Sequence, residues 1–353
     1  EKNIFVGYYA GRMMQRNAAD DDDSANNVAI GNVAMYGHAT QDTVSDKNVA
    51  VGDSAMYVAS GANNNTALGW GALSGSSAGM QGDSNVAIGL SAMGNATNPY
   101  DNVSVGNYSG YDMTTGFSNT LVGYYAGAAI TTGTKNTYVG QYAGKSNVTG
   151  SYNVAIGMEA SEAFTGSYDV AIGRQAHTVA IDNHGVYIGY QAGYVATGAS
   201  NVAIGYEALE GGSTTNDSVI VGAGAAKNMG EIFTEATCVT VDTDATVTHT
   251  ANALIVAGLT VSGTNIPADT TVDTITDATH FELSAAATGA GTVTLTFGNF
   301  SRRIVAIGTS ALQEAGYSVE GSIGIGTSAL GYHVGSHSIG IGYKTMYSGA
   351  LTN

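Results

Sequence analysis

Asn153-Val154-Ala155-Ile156-Gly157, with Ala160 three residues further on, is one of sixteen copies of a single phrase. Near-identical versions stand at Asn27 to Gly31, Asn85 to Gly89 and Asn201 to Gly205. The closing glycines are residues 7, 31, 52, 69, 89, 106, 123, 140, 157, 173, 189, 205, 222, 308, 326 and 342. Most successive copies are 16 or 17 residues apart, and internal repetition of this kind decides a fold before any other signal. One residue before the glycine is always Ile, Val or Leu, and three before is always Val, Ile or Thr. Such residues favour extended backbone, and a spacing of two puts both side chains on one face of a strand. That face is expected to line the core. Asn precedes the pair in ten copies and is expected to open the strand from a left-handed turn. Three residues beyond the glycine stands Ala in fourteen copies, with Ser109 and Thr345 in the others, so close backbone approach is expected there.

A period of 16 to 17 is too short for a helix, a strand and their turns. It accommodates two strands of about five residues with two turns. The fold class that follows is all-β: a parallel β-roll or β-solenoid of about sixteen coils, each stacked on the next. The residue after the small one comes in two kinds. Five coils have Gly there and eight have Met or Leu, which reads as packing: filler where neighbours leave space, glycine where they do not. The early coils carry polar insertions, among them Asp20 to Asp23 and the stretch Thr97-Asn98-Pro99-Tyr100, expected as a loop.

One gap between repeat glycines is 86 residues, from 222 to 308. Removing one coil of 17 leaves about 69 residues with a different texture, as in Cys238-Val239-Thr240-Val241 and Thr292-Val293-Thr294-Leu295-Thr296-Phe297. Period-two alternation bounded by Gly and Pro predicts a small antiparallel barrel or sandwich. The expected domains are thus 1–230 (coils 1–13), an inserted β domain at 231–301, and 302–353 (coils 14–16).

Composition excludes several function classes. The chain of 353 residues has 28 acidic and 11 basic side chains, a net charge of −17, so it has no basic stripe for nucleic acid or anionic lipid. No apolar run reaches the roughly 18 residues of a membrane span, so no membrane insertion is expected. Cys238 is the only cysteine, and no disulfide framework is possible within one chain. The first repeat begins at Asn3 and residue 1 is Glu, so a segment of a longer or processed protein is expected.

The phrase Asn/Ser-Val-Ala-Ile-Gly-x-x-Ala resembles the head repeat of trimeric autotransporter adhesins. The resemblance covers about 280 of the 353 residues and implies a left-handed parallel roll with three chains around one axis. The variant Gly189-Tyr190-Gln191-Ala192-Gly193 is similar to repeats of bacteriophage tail fibres, and the stretch Thr260 to Val272 is similar to small β modules of phage structural proteins. Longer coils and the lack of a coiled-coil stalk point to the virion. The expected function is a structural and adhesive segment of a homotrimeric tail fibre. Its expected partners are its own copies, other virion or fibre proteins at the ends, and a host surface glycan or protein. The alternatives are a bacterial surface adhesin with the same roll and a tailspike-type polysaccharide depolymerase.

No catalytic, cofactor or metal residue is nominated. His333 and His337 have a helical metal spacing, but they fall in a β-coil turn without a thiol or carboxylate beside them. Asp20 to Asp23 lacks the alternating ligands of a calcium loop and reads as solvated acid. No Gly-Lys-Ser/Thr follows a glycine repeat, and no nucleophile elbow with a supporting His is present. A glycosidase carboxylate pair is a matter of distance, which sequence does not give. Tyr8, Tyr124, Tyr190, Tyr206, Tyr343 and Trp70 follow repeat glycines and are expected to form a stacked ladder rather than a sugar platform. Receptor-binding residues are not identifiable at this level.

Overall fold

The computed structural model describes residues 2–12, 25–37, 45–75, 79–178, 184–211, 216–227, 233–252, 255, 259–268, 270–298, 303–313, 321–331 and 337–346. The protein is an all-β parallel solenoid of about sixteen turns with a small separate antiparallel sheet, and no helix occurs among the described residues. The chain divides into two compact units, residues 1–184 and 185–353. The first contains coils 1–10; the second contains coils 11–16 and the inserted sheet.

Every coil contributes one three-residue strand ending just before its closing glycine, from Ile4–Val6 in the first to Ile339–Ile341 in the sixteenth. Within the first unit consecutive strands pair in parallel and in register, as in Thr137↔Val154 and Val154↔Val170. Thr137 N donates to Asn153 O at 2.8 Å, and Gly157 N donates to Val139 O at the same distance. Two five-residue strands per coil were expected, and only this short one forms. The rest of the coil is turn, because residues two after the glycine (Tyr125, Tyr142, Glu159) and five before it (Lys135, Tyr152, Tyr168) sit at φ between 55° and 66°. Left-handed backbone cannot continue a strand. Yet the turns stack like strands: Tyr142 N donates to Tyr124 O at 2.9 Å and Gly144 N to Ala160 O at 2.9 Å. The stretch Thr97 to Tyr100 joins this ladder too, through Gln81 N to Thr97 O (2.8 Å) and Asn98 N to Thr114 O (2.7 Å), and is not a projecting loop.

The strand faces are the reverse of the expectation. Ala155 is fully buried while Ile156 is 38% exposed, and Val154 is half-buried. In all sixteen coils neither flanking residue is buried, and the middle one is buried in every coil but the first, where Phe5 is half-buried. The cause is arithmetic. A three-residue strand presents one side chain to one face and two to the other, and the interior of so small a coil admits only one.

That inward residue is matched to the residue six further on. In six of the eight coils whose strand centre is Ala (Ala29, Ala50, Ala67, Ala87, Ala203 and Ala306), buried Met35, Met56, Leu73, Met93, Leu209 and Leu312 fill the space from the turn, whereas Ala155 and Ala171 have Ser161 and His177 there. Where it is large (Phe5, Leu121, Tyr138 or Tyr187), the partner is Gly11, Gly127, Gly144 or Gly193. A Cβ on Gly11 would lie 2.6 Å from Phe5 Cζ, and one on Gly144 would overlap the Tyr138 ring. Coil 6 uses Ser104 and Ser109 at two buried small positions and satisfies them on each other at 2.8 Å. Interiors packed to crystal density permit this exchange and little else.

In nine of the ten coils with Asn before the strand, from Asn27 on, that Asn is buried rather than left-handed, and the preceding residue takes the left-handed turn; Asn3 of the first coil is half-buried. Asn136 N and Nδ2 donate to Asn119 Oδ1 (3.0 and 3.1 Å), and Asn136 Nδ2 also donates to Gly150 O (2.9 Å). Repeated from Asn3 to Asn153, this amide ladder satisfies buried polar groups that would otherwise cost about 1–3 kcal/mol each. The closing glycines are forced: Gly157 has φ of 134°, and a Cβ there would meet Gly173 O at 2.5 Å.

In the second unit the ladder passes from Val219–Val221 directly to Val305–Ile307, with Val219 N donating to Ile304 O at 2.9 Å. The six strands of the insert run from Phe233 to Gly298 and are ordered Thr260–Gly263, Gly291–Gly298, Phe233–Thr240, Thr246–Thr248, His280–Leu283, Val272–Asp277. Val261 N donates to Thr270 O (2.8 Å) and Val272 N to Leu259 O (2.7 Å), which returns the last strand to the first. The insert is therefore a closed antiparallel barrel around Cys238, Val247, Phe281, Leu283, Leu295 and Phe297. Closure removes the edges that invite aggregation.

Candidate interaction surfaces

Three features of the described residues present chemistry outward. The first is the stripe formed by the two outward residues of each strand. Because register is exact in the pairings from coil 1 to 10 and from coil 11 to 16, like residue stands on like residue, Ile156 on Ile172 and Val154 on Val170. Each covers part of its neighbours, but Ile30, Leu68, Ile156, Ile204, Val219 and Ile307 remain more than a third exposed. A two-column band of β-branched side chains is larger than the scattered apolar groups normal on a protein surface.

The second is aromatic. Of the tyrosines after repeat glycines, Tyr190 and Tyr206 stack at 5.1 Å between ring centroids, while Tyr124 meets Tyr125 edge-on at 4.6 Å. A longer column escaped the sequence reading because it lies five or six residues before the glycines. Tyr100 stacks on Phe117 (4.6 Å, planes 6° apart), and Lys135 sits between Phe117 and Tyr152, 4.8 Å from the latter's ring centroid. Tyr152 stacks on Tyr168 (4.9 Å, 5°) and Tyr168 on His184 (5.2 Å, 3°). The shared offset from successive closing glycines was the available signal. Rings stacked face to face cover the faces that a sugar ring would need, so this column fastens coils instead.

The third is polar. Lys227, at the last described position before the insert, pairs with Glu210 at 2.6 Å and with Glu207. The Lys227 hydrogen bond holds the Glu207 carboxyl below the usual range, and the two glutamates raise the ammonium. On the barrel, His280 holds the Asp277 carboxyl down to about 2, with Thr279 assisting. Burial pushes the Cys238 thiol up to about 12, which leaves it un-ionised and unreactive at neutral pH.

A cleft of about 350 Å³ on the barrel is lined by His249, Ala251, Asn252, Ile255, Ile275, Asp277 and Ala278. Its polar groups are engaged elsewhere: Asn252 donates to Glu235 Oε2 at 3.0 Å, and Asp277 is bound by Thr279 and His280. Among the described residues no three His, Cys, Asp or Glu side chains are placed to hold a metal ion. His337 rests against Gly321, whereas His333 and Asp20 to Asp23 lie outside the described residues. No helix of the described residues is long and apolar enough to cross a membrane.

Fold and surfaces define the class: a parallel β-solenoid of stacked short coils carrying an inserted antiparallel barrel. No family model, curated protein or solved structure matches the chain.

Proposed function

We propose that this chain is a structural and adhesive segment of a homotrimeric phage tail fibre, one that positions or contacts the host cell surface. The observation that carries the reading is the outward β-branched band. Thirteen of the sixteen coils put Val or Ile at both solvent-facing positions, while eight of the sixteen have only Ala at the inward one. Exposed apolar surface of this extent is stabilised by burial against a partner, at about 25 cal/mol per Å². A repeat in register offers itself most directly to the same repeat in another copy, and closed cyclic symmetry leaves none of the band open. Three copies are taken from the resemblance of the Asn-Val-Ala-Ile-Gly phrase to adhesin heads and fibre repeats. The rim of the barrel and the polar insertions of the early coils are the places where host contact belongs, since they interrupt the repeat.

The test has two parts. Light scattering of the purified chain gives three times 35.6 kDa if the reading holds, and a monomer overturns it. Labelled protein should then adsorb to host cells and compete with the intact virion, whereas failure to compete removes the adhesive half alone.

A further inference from the structure

Tyr152 and Tyr168 occupy the same place in consecutive coils, five residues before the closing glycines at 157 and 173. Left-handed backbone at both (φ 62° and 66°) aims the two side chains the same way. Their ring planes are 5° apart with centroids at 4.9 Å, and the side chains are 44% and 53% exposed. The pair is held from both ends. Lys135 Nζ donates to Tyr152 Oη at 3.0 Å from the coil before, and the His184 ring stacks on the far side of Tyr168.

Two phenols kept side by side and open to solvent are arranged for oxidative coupling, and we infer that Tyr152 and Tyr168 form a preorganised dityrosine site. The oxidant is of the haem-peroxidase class with hydrogen peroxide. Each phenol gives up one electron and its hydroxyl proton. The two ring radicals then join through their ortho carbons, and the ortho hydrogens shift to the oxygens to restore both phenols. Peroxide takes up the two electrons and two protons and leaves as two molecules of water. The new bond links coils 9 and 10.

Parallel stacking singles this pair out among the tyrosine contacts. Tyr8 and Tyr9 are nearer, at 4.0 Å, but tilted by 38° and adjacent in one coil. Tyr36 and Tyr57, Tyr108 and Tyr125, and Tyr190 and Tyr206 stack with planes 18–20° apart, and Tyr124 meets Tyr125 at 78°. Tyr100 stacks on Phe117, which has no phenol to oxidise. Holding the two reactants in contact replaces a bimolecular encounter, so coupling within the pair outruns coupling between chains in dilute solution. The inference rests on coil stacking and is independent of the tail-fibre reading.

The experiment treats the whole chain, at low concentration, with a haem peroxidase and hydrogen peroxide, then maps cross-links by peptide mass spectrometry. The expected product is one chain-internal link between Tyr152 and Tyr168, two hydrogens lighter than its parts, with dityrosine fluorescence at the single-chain band of a denaturing gel. Tyr168→Phe, which removes only a hydroxyl, should abolish most of that fluorescence, while Tyr57→Phe should leave it unchanged. Unaltered circular dichroism of both variants establishes that the coils still stack. Links spread evenly over the other tyrosine pairs, links predominantly between chains, or oxidation of these tyrosines without coupling would each overturn the inference.

Discussion

Coils 3 and 8 enclose interiors of the same kind by opposite means. Coil 3 puts Ala50 on its strand and fills the space with Met56 from the turn; coil 8 puts Tyr138 on its strand and leaves Gly144 at the turn. Both central pairs are in the same two places of the coil, six residues apart, and the outward residues are β-branched in both, Val49 and Val51 in coil 3 and Thr137 and Val139 in coil 8. The backbone at the turn position is left-handed in both, φ 49° at Met56 and 58° at Gly144. What is held constant is volume; which side chain provides it is free. Stability in such a stack is a sum of coil interiors and coil-to-coil contacts, so any one coil can change its filler if the exchange is made within it.

The comparison can be broken most severely by emptying coil 8. Tyr138→Ala removes a fully buried ring whose hydroxyl accepts from Asn153 Nδ2 at 3.4 Å, and should cost about 3–5 kcal/mol in urea unfolding. Met56→Ala does the same to coil 3 from the other side and should cost about 2–4 kcal/mol. Asn136→Ala leaves the filler alone and cuts the amide ladder beneath it. It should cost about 1–3 kcal/mol and accelerate amide exchange in coils 7 to 9 first. Ile156→Ser touches neither interior nor ladder. It should change the unfolding of a single chain by less than about 0.5 kcal/mol, yet weaken self-association measured by sedimentation.

The smallest effect belongs to the barrel. Asp277 has a folded value near 2 against an ordinary 3.8, so its stabilisation is present above 3.8 and is lost as pH falls towards 2. Solvent-screened as it is, the pair should give only a slight drop in melting temperature over that window, absent in Asp277→Asn.

Much of the roll could be read in the sequence because sixteen in-register copies impose their period directly. The direction of the strand faces could not. Val and Ile two residues apart look like a core pair, and in longer strands they would be one. Here the strand is three residues long, and its inward residue varies from Gly to Tyr because in most coils Met, Leu or Gly six residues later compensates. Only the anticorrelation between those two positions reveals which face is inside. The barrel was legible from the 86-residue gap and its alternation, while its closure depended on the contacts of Leu259 and Val261 with Thr270 and Val272. The Tyr152–Tyr168 column was hidden because left-handed tyrosines are unusual and composition gives no sign of them.

The exchange of volume within a coil is tested most directly by a double-mutant cycle in coil 8. Tyr138→Ala and Gly144→Met are measured singly and together by urea unfolding. Each single change should destabilise the chain, one by cavity and the other by overlap with the ring. Together they rebuild the coil 3 arrangement, and the pair should be more stable than either single variant, with a favourable coupling of about 1–3 kcal/mol. Simple additivity of the two losses would contradict the account.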